Sequence, residues 1–390
     1  MSPAREARPR PAPPAILSLG FRAMYLLAGA FAAISIPLWV AQYAGMIAPG
    51  SAYAGSLWHA HEMIFGFALA VIVGFLFTAG RNWSGQPTPT GLALAAVAAL
   101  WLVARVLAFT PWRGLAGAVD VAFALAAAAG LAVPLWRARN ARNYFFVALL
   151  VAIAVLNAGF HLALAGLIDV DLPRLLVIAL DVVLFICVVM AGRVVPMFTN
   201  NGAPGAGARR IAWIEQLSLG SVLGLAAADV VGASPLVVAI VAGVAALAHA
   251  ARLALWHPWR TRGRPILWIL HAAYAWVPVH LALRATAALG LTAAGIATHA
   301  LAVGVIGGLT LGMMTRTSRG HSGRPLAVGA PEVAAYLLVM AAALVRVLVP
   351  LVLPEFTVAG IVVAASLWSA AFLTFTVTYW PILSRPALKG

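Results

Sequence analysis

The sequence predicts an all-α integral membrane protein of about twelve spanning helices, with both termini in the cytoplasm. Three observations carry this. Hydrophobic residues make up 64% of the chain and charged ones only 9%, with a mean hydropathy of +1.00. That is too little charge to cover a soluble surface. The apolar residues gather in about twelve runs, each near the roughly 20 residues a helix needs to cross a bilayer. The basic residues, finally, fall in alternate connections. A net charge of +15 would suggest nucleic acid in a soluble protein; here it excludes that partner in favour of membrane lipid.

In order, the runs cover 21–46, 57–80, 90–109, 114–136, 143–167, 173–199, 211–231, 234–256, 265–289, 293–315, 330–350 and 357–382. Before them, residues 1–16 are basic and proline-rich and read as a disordered cytoplasmic tail; residues 17–390 form a single membrane domain, with no room for a soluble one. Run 2 opens on Trp58-His59-Ala60-His61-Glu62-Met63, which places two imidazoles and a carboxylate at its lip. Run 5 ends near His161, and run 6 carries Asp181 and the lone Cys187. One cysteine excludes disulfides and iron–sulfur clusters, and no Cys-x-x-Cys-His haem attachment motif exists. Run 9 holds His271, Trp276, His280 and Arg284, and run 10 holds His299 followed by Gly304, Gly308 and Gly312. Two overlapping GxxxG units predict close helix packing.

A cytoplasmic N-terminus puts twenty basic residues in inner connections and tails and leaves five outside: Arg105, Arg113, Arg174, Arg284 and Arg346. That split requires an even number of spans. With a rise of about 1.5 Å per residue, His59, His61, His161, His280 and His299 then share the outer half of the membrane on four helices, while His271 and His249 lie deeper. His257 and His321 fall in basic connections.

Ionisable groups at membrane depth are costly and rarely persist without a role. Singly, each histidine reads equally well as a core residue bonded to a backbone carbonyl. Five at one depth favour a shared site, with a proton or substrate pathway as the direct competitor. Imidazole suits haem iron, copper and zinc. His59 and His61 differ by about 200° around a regular helix and cannot serve one metal together. His59 would share a face with Glu62, Met63, Gly66 and Gly74, a smooth strip that a flat macrocycle could approach. Trp276, His280 and Arg284 form a second stripe able to seat a haem and pair with a propionate. The candidate metal ligands are therefore His59, His61, His161, His271, His280 and His299, with Glu62 as proton donor or as the group orienting a histidine.

Three stretches resemble a known family. His59 to Phe67 with Gly74 to Ala79 and Asn82-Trp83-Ser84-Gly85, then Gly192-Arg193-Val194-Val195-Pro196-Met197-Phe198-Thr199-Asn200, then His299 through Arg316 and Gly320 to Leu326 are similar, in order, to motifs of the NnrS family. The resemblance implies a haem b- and copper-containing protein of the bacterial inner membrane tied to the nitric oxide response. It carries over to His59, His61, Glu62, Arg193, His299 and His321. NO reduction would draw electrons from quinol or a protein donor. Ligands on runs 2 and 10 of twelve also echo the catalytic subunit of haem–copper oxidases, an analogy of fold that transfers no activity. The alternative is a secondary transporter of copper, haem or a proton-coupled solute. The sequence shows no broken helices in corresponding positions of two halves, the usual mark of a transporter site.

Overall fold

The computed structural model describes residues 13–47 and 55–388, and these are helical and without strands. Expectations for residues 1–12 and Lys389 lie outside them. Twelve apolar helices follow one another: α1 (Gly20–Tyr43), α2 (Gly55–Ser84), α3 (Gly91–Leu107), α4 (Arg113–Arg137), α5 (Tyr144–Leu164), α6 (Leu172–Gly202), α7 (Ala212–Val231), α8 (Pro235–Leu255), α9 (Pro265–Ala288), α10 (Ala294–Gly320), α11 (Ala330–Val352) and α12 (Thr357–Ser384). Eleven are long and apolar enough to cross a membrane. The exception is α3, whose 17 residues span about 25 Å, the short end of what a crossing needs. In lipid, a helix satisfies every backbone group internally, which is why these runs can adopt little else. Their ends are cut by ordinary signals. Prolines open α8 and α9, and Gly85 and Gly232 close α2 and α7 in the left-handed conformation.

The last helix packs along the first and closes the bundle. Gly29 of α1 lets Phe375 and Thr376 of α12 approach it closely. Of the eleven long spans, α2, α6 and α10 are the most buried. They are four helices apart in sequence and meet around a small apolar cavity of about 70 Å³, where Ile72, Cys187 and Met313 face one another. The glycines of α10 do pack as predicted: Gly304 lies under Trp276, Gly308 against Ala273 and Met340, and Gly312 against Leu270.

Two of the central helices are not regular. α2 winds as a π-helix over Glu62–Ala68, and α10 over Ala300–Gly307. Side chains also bond carbonyls within these segments. The Trp101 indole donates to Gly66 O at 2.9 Å, and Thr310 Oγ1 to Gly307 O at 3.1 Å. Both helices stay continuous. π-winding inside a helix occurs frequently at functional sites, and here it begins beside His61 and at His299.

Candidate functional site

Chain alternation brings the starts of α2, α4 and α10 to one end of the bundle, together with the ends of α3, α5, α9 and α11. Of the five histidines predicted to share a depth, four form two centres rather than one, on opposite sides of α2, and His280 joins neither.

The first centre joins His59 of α2 to His299 of α10. Their rings lie 6.3 Å apart between centroids and within 8° of parallel. Both line a cavity of about 370 Å³, walled by Trp39, Met63, Phe67 and Trp368 among other apolar residues. Trp39 stacks on His59 at 4.2 Å. His299 donates through Nδ1 to Gly295 O at 2.7 Å, which leaves Nε2 as an acceptor; Arg346 of α11 lies 3.2 Å from that nitrogen. Arg346 faces the same cavity and has no carboxylate partner among the described residues. His59 Nδ1 is buried without a hydrogen-bond partner.

The second centre gathers around His61. Its Nδ1 lies 3.0 Å from Glu62 Oε1, and its Nε2 lies 3.0 Å from Asn157 Oδ1 and 3.2 Å from Asp120 Oδ2. His161 Nε2 approaches the same Asp120 oxygen at 3.4 Å. Arg105 bridges the carboxylates, with Nη1 2.7 Å from Glu62 Oε2 and Nη2 on Asp120 Oδ1. Every member but His161 is fully buried. Both nitrogens of His61 face oxygens, so a neutral ring would direct one lone pair at an acceptor. Glu62, Asp120 and Arg105 together carry one net negative charge. A further cation closes the balance, either a proton on His61 or a metal ion. Among the described residues, His61, Asp120 and His161 are the one group of three such side chains placed to hold a metal, with ligand atoms all within 4.8 Å.

The other predicted residues lie elsewhere. His280 is buried, donates through Nδ1 to Ala297 O at 2.8 Å, and leaves Nε2 without a partner; it lines neither centre. Arg284 is held by Asp181 at 3.4 Å and by Asp229, and Trp276 fills the groove at Gly304. The predicted stripe of Trp276, His280 and Arg284 thus has its cation and its aromatic engaged by protein. His271 bonds Thr199 Oγ1 at 2.8 Å on α6. Arg193 bonds Asn143 at 2.7 Å and stacks on Phe146. His249 is fully satisfied between Tyr274 and Ser218. Glu62 belongs with His61 and not with His59: the π-winding that starts there ends the regular 100° periodicity on which the predicted strip depended. Gly66 and Gly74 on that strip are filled by Arg105 and by Tyr25 with Met24.

Sequence reasoning missed Arg105, Asp120, Asn157 and Arg346 as site residues. A signal existed for three of them: Arg105 and Arg346 are exceptions to the charge asymmetry, and Asp120 is one of ten acidic residues in the chain and lies inside an apolar run.

The fold and these centres define a multi-pass membrane protein built around buried histidines on rewound central helices. The family model described as NnrS protein matches residues 15–387. The chain belongs to the NnrS family. Among curated proteins, none matches it.

Proposed function

We propose that the protein is a haem b- and copper-binding protein of the bacterial inner membrane that binds nitric oxide and detoxifies or reduces it, with both termini cytoplasmic. The observation that carries this is the facing pair His59 and His299 across an apolar cavity. The donor set fits an iron porphyrin. Two imidazoles from different helices open on one space, the Nδ1 bond to Gly295 O fixes the tautomer and orients His299, and Arg346 supplies a cation with no carboxylate of its own. A cavity of about 370 Å³ is within the range of cofactor sites. His59 and His299 would hold the haem, which when bound supplies an iron centre for NO, and Arg346 would pair with a propionate. The apolar walls exclude water and admit NO, an uncharged gas, from the bilayer.

His61, His161 and Asp120 would hold the second metal, copper in this reading. Glu62 orients His61 and with Arg105 fixes the charge of the centre. The transporter alternative gains nothing from the geometry, since the two irregular helices are rewound and not broken.

The test is an optical and EPR spectrum of the detergent-purified protein, oxidised and reduced, before and after NO, with iron and copper quantified in the same sample. A b-type signal that shifts with NO is expected. His299→Ala should lower the haem-to-protein ratio sharply, whereas His257→Ala should not, because His257 is bound to Ala206 O at 2.6 Å and lines neither centre. Protein without haem, from cells well supplied with it, would sink the reading.

A further inference from the structure

A third cluster of ionisable groups lies at the histidine end of the bundle, where α6, α7 and α9 meet. Arg284 of α9 places Nη1 3.4 Å from Asp181 Oδ1 and Nη2 on Asp229 Oδ2. Asp181 is 1% exposed, and its carboxyl lies within hydrogen-bonding reach of that of Asp229. Its Oδ2 is buried and receives no donor. Two carboxylates against one guanidinium leave one net negative charge. A buried anionic oxygen without a donor is costly, so the cluster lacks a cation that is also a donor. His280, one turn deeper on the same face of α9, repeats the shortage: its Nδ1 donates to Ala297 O, and its Nε2 is a buried acceptor with no partner.

Among the described residues, no other side chain supplies that charge. Arg174, exposed at the start of α6, spends its donors on Asp229 O and Val230 O, both at 2.8 Å. Asp169 and Asp171, just before α6, are exposed. α5 and α10 bring only His161 and His299 to this end, and each belongs to a centre described above. On α8, His249 and Arg252 are engaged with Tyr274 and Glu215. The place of the cluster in the bundle also recurs. Asp181, Asp229 and Arg284 lie in the first third of α6 and the last thirds of α7 and α9. Glu62, Arg105 and His161 hold the matching positions on α2, α3 and α5, and His299, Arg346 and Trp39 those on α10, α11 and α1. Those two corners carry the two histidine centres; the two aspartates and Arg284 fill the third.

We propose that Asp181 and Asp229 bind one proton between them, as a carboxyl–carboxylate pair clamped by Arg284 and open to water at the histidine end of the bundle. Two carboxyls this close do not both ionise without a second cation, and sharing a proton resolves the conflict. The shared proton gives Asp181 Oδ2 its hydrogen bond and brings the cluster to neutrality. Arg284 keeps the other carboxyl ionised, so the pair holds one proton and not two. Asp229 and Arg284 keep 13% and 17% of their side chains exposed, which gives the proton a way to water that Asp181 alone would lack. A metal ion is the poorer occupant, because Arg284 already binds both carboxylates and would repel it. The site is separate from the haem reading and needs neither histidine centre to be loaded.

The test is the infrared C=O stretch of a protonated carboxyl, measured at neutral pH on the purified full chain in an ester-free detergent. The wild type is expected to show one such band, which moves on ¹³C-aspartate labelling and shifts in D₂O before the slow amides exchange. Asp181→Asn and Asp229→Asn should each abolish it, because the remaining carboxylate then pairs with Arg284 alone. Arg284→Leu should roughly double it, since neither carboxyl keeps a cation. A purely structural ion pair would give no band to lose or to double. Thermal melting checks folding, and the less buried Asp229→Asn keeps the test open if Asp181→Asn does not fold. Absence of the band in the wild type, or an unchanged band in both well-folded asparagine variants, would overturn the pair. So would a band that appears only after chelation or removal of sodium, which would make the occupant a metal cation. A band that fails to shift in D₂O would overturn its opening to water.

Discussion

Arg105 shows how much one side chain decides here. It is 6% exposed and joins two buried carboxylates whose other basic neighbours are the imidazoles His61 and His161. Removing one partner of a buried ion pair costs about 3–5 kcal/mol, because the other charge remains behind. Arg105→Leu should therefore lower the melting temperature in detergent markedly, and Arg105→Lys should recover part of it. An unchanged melting point would mean that water, and not Arg105, satisfies Glu62 and Asp120. His61 and His59 should separate in their effects, although they are two residues apart. His61→Ala is expected to lower bound copper while leaving the haem spectrum intact, and His59→Ala to do the reverse; loss of both together in either variant would show a single centre. The arginines that break the charge asymmetry were legible in the sequence. Their partners were not, because a carboxylate on α4 and an amide on α5 meet α2 only through packing.

At the level of the helix, the decisive features are the π-wound segments and the glycines beside them. Leu and Val runs say that a helix forms, but they do not say where it rewinds by one residue. That depends on what packs against the helix there, such as Trp101 from α3, whose indole donates to Gly66 O. The glycines of α10 were readable, since small residues four apart serve close approach. A Cβ at Gly304 would fall onto the Trp276 ring. Gly304→Ala should thus destabilise by about 1–3 kcal/mol through overpacking and reduce haem retention by shifting α10 against α9. Gly243→Ala is the contrasting case: nothing lies within 4 Å of its added Cβ, and it should be neutral or stabilise by up to about 1 kcal/mol. Equal melting points for the two variants would show that the α9–α10 contact is not tight.

For the whole molecule, the arginine count makes the topology testable. Alkaline phosphatase fused after residue 388 is expected to be inactive, and a fusion in the connection near residue 110 active, with green fluorescent protein giving the opposite pattern. Activity at the C-terminal fusion would reverse the orientation and with it the outer placement of both histidine centres. The same topology puts the cavity beside Arg316 at the cytoplasmic end, about a membrane thickness from His59, since α2 runs from one to the other over 30 residues at about 1.5 Å each.

The sequence by itself determined the membrane class, the twelve helices and the charge asymmetry. All three follow from composition and from the length a helix needs to cross a bilayer, which are local. The tertiary structure alone decided that His59 with His299 and His61 with His161 are two separate centres, that Arg284 answers Asp181 and Asp229, and that Arg316 stands before an open cavity. Those outcomes depend on which helix faces which. In a chain where lipid and protein interior are almost equally apolar, the hydrophobic pattern carries little of that information.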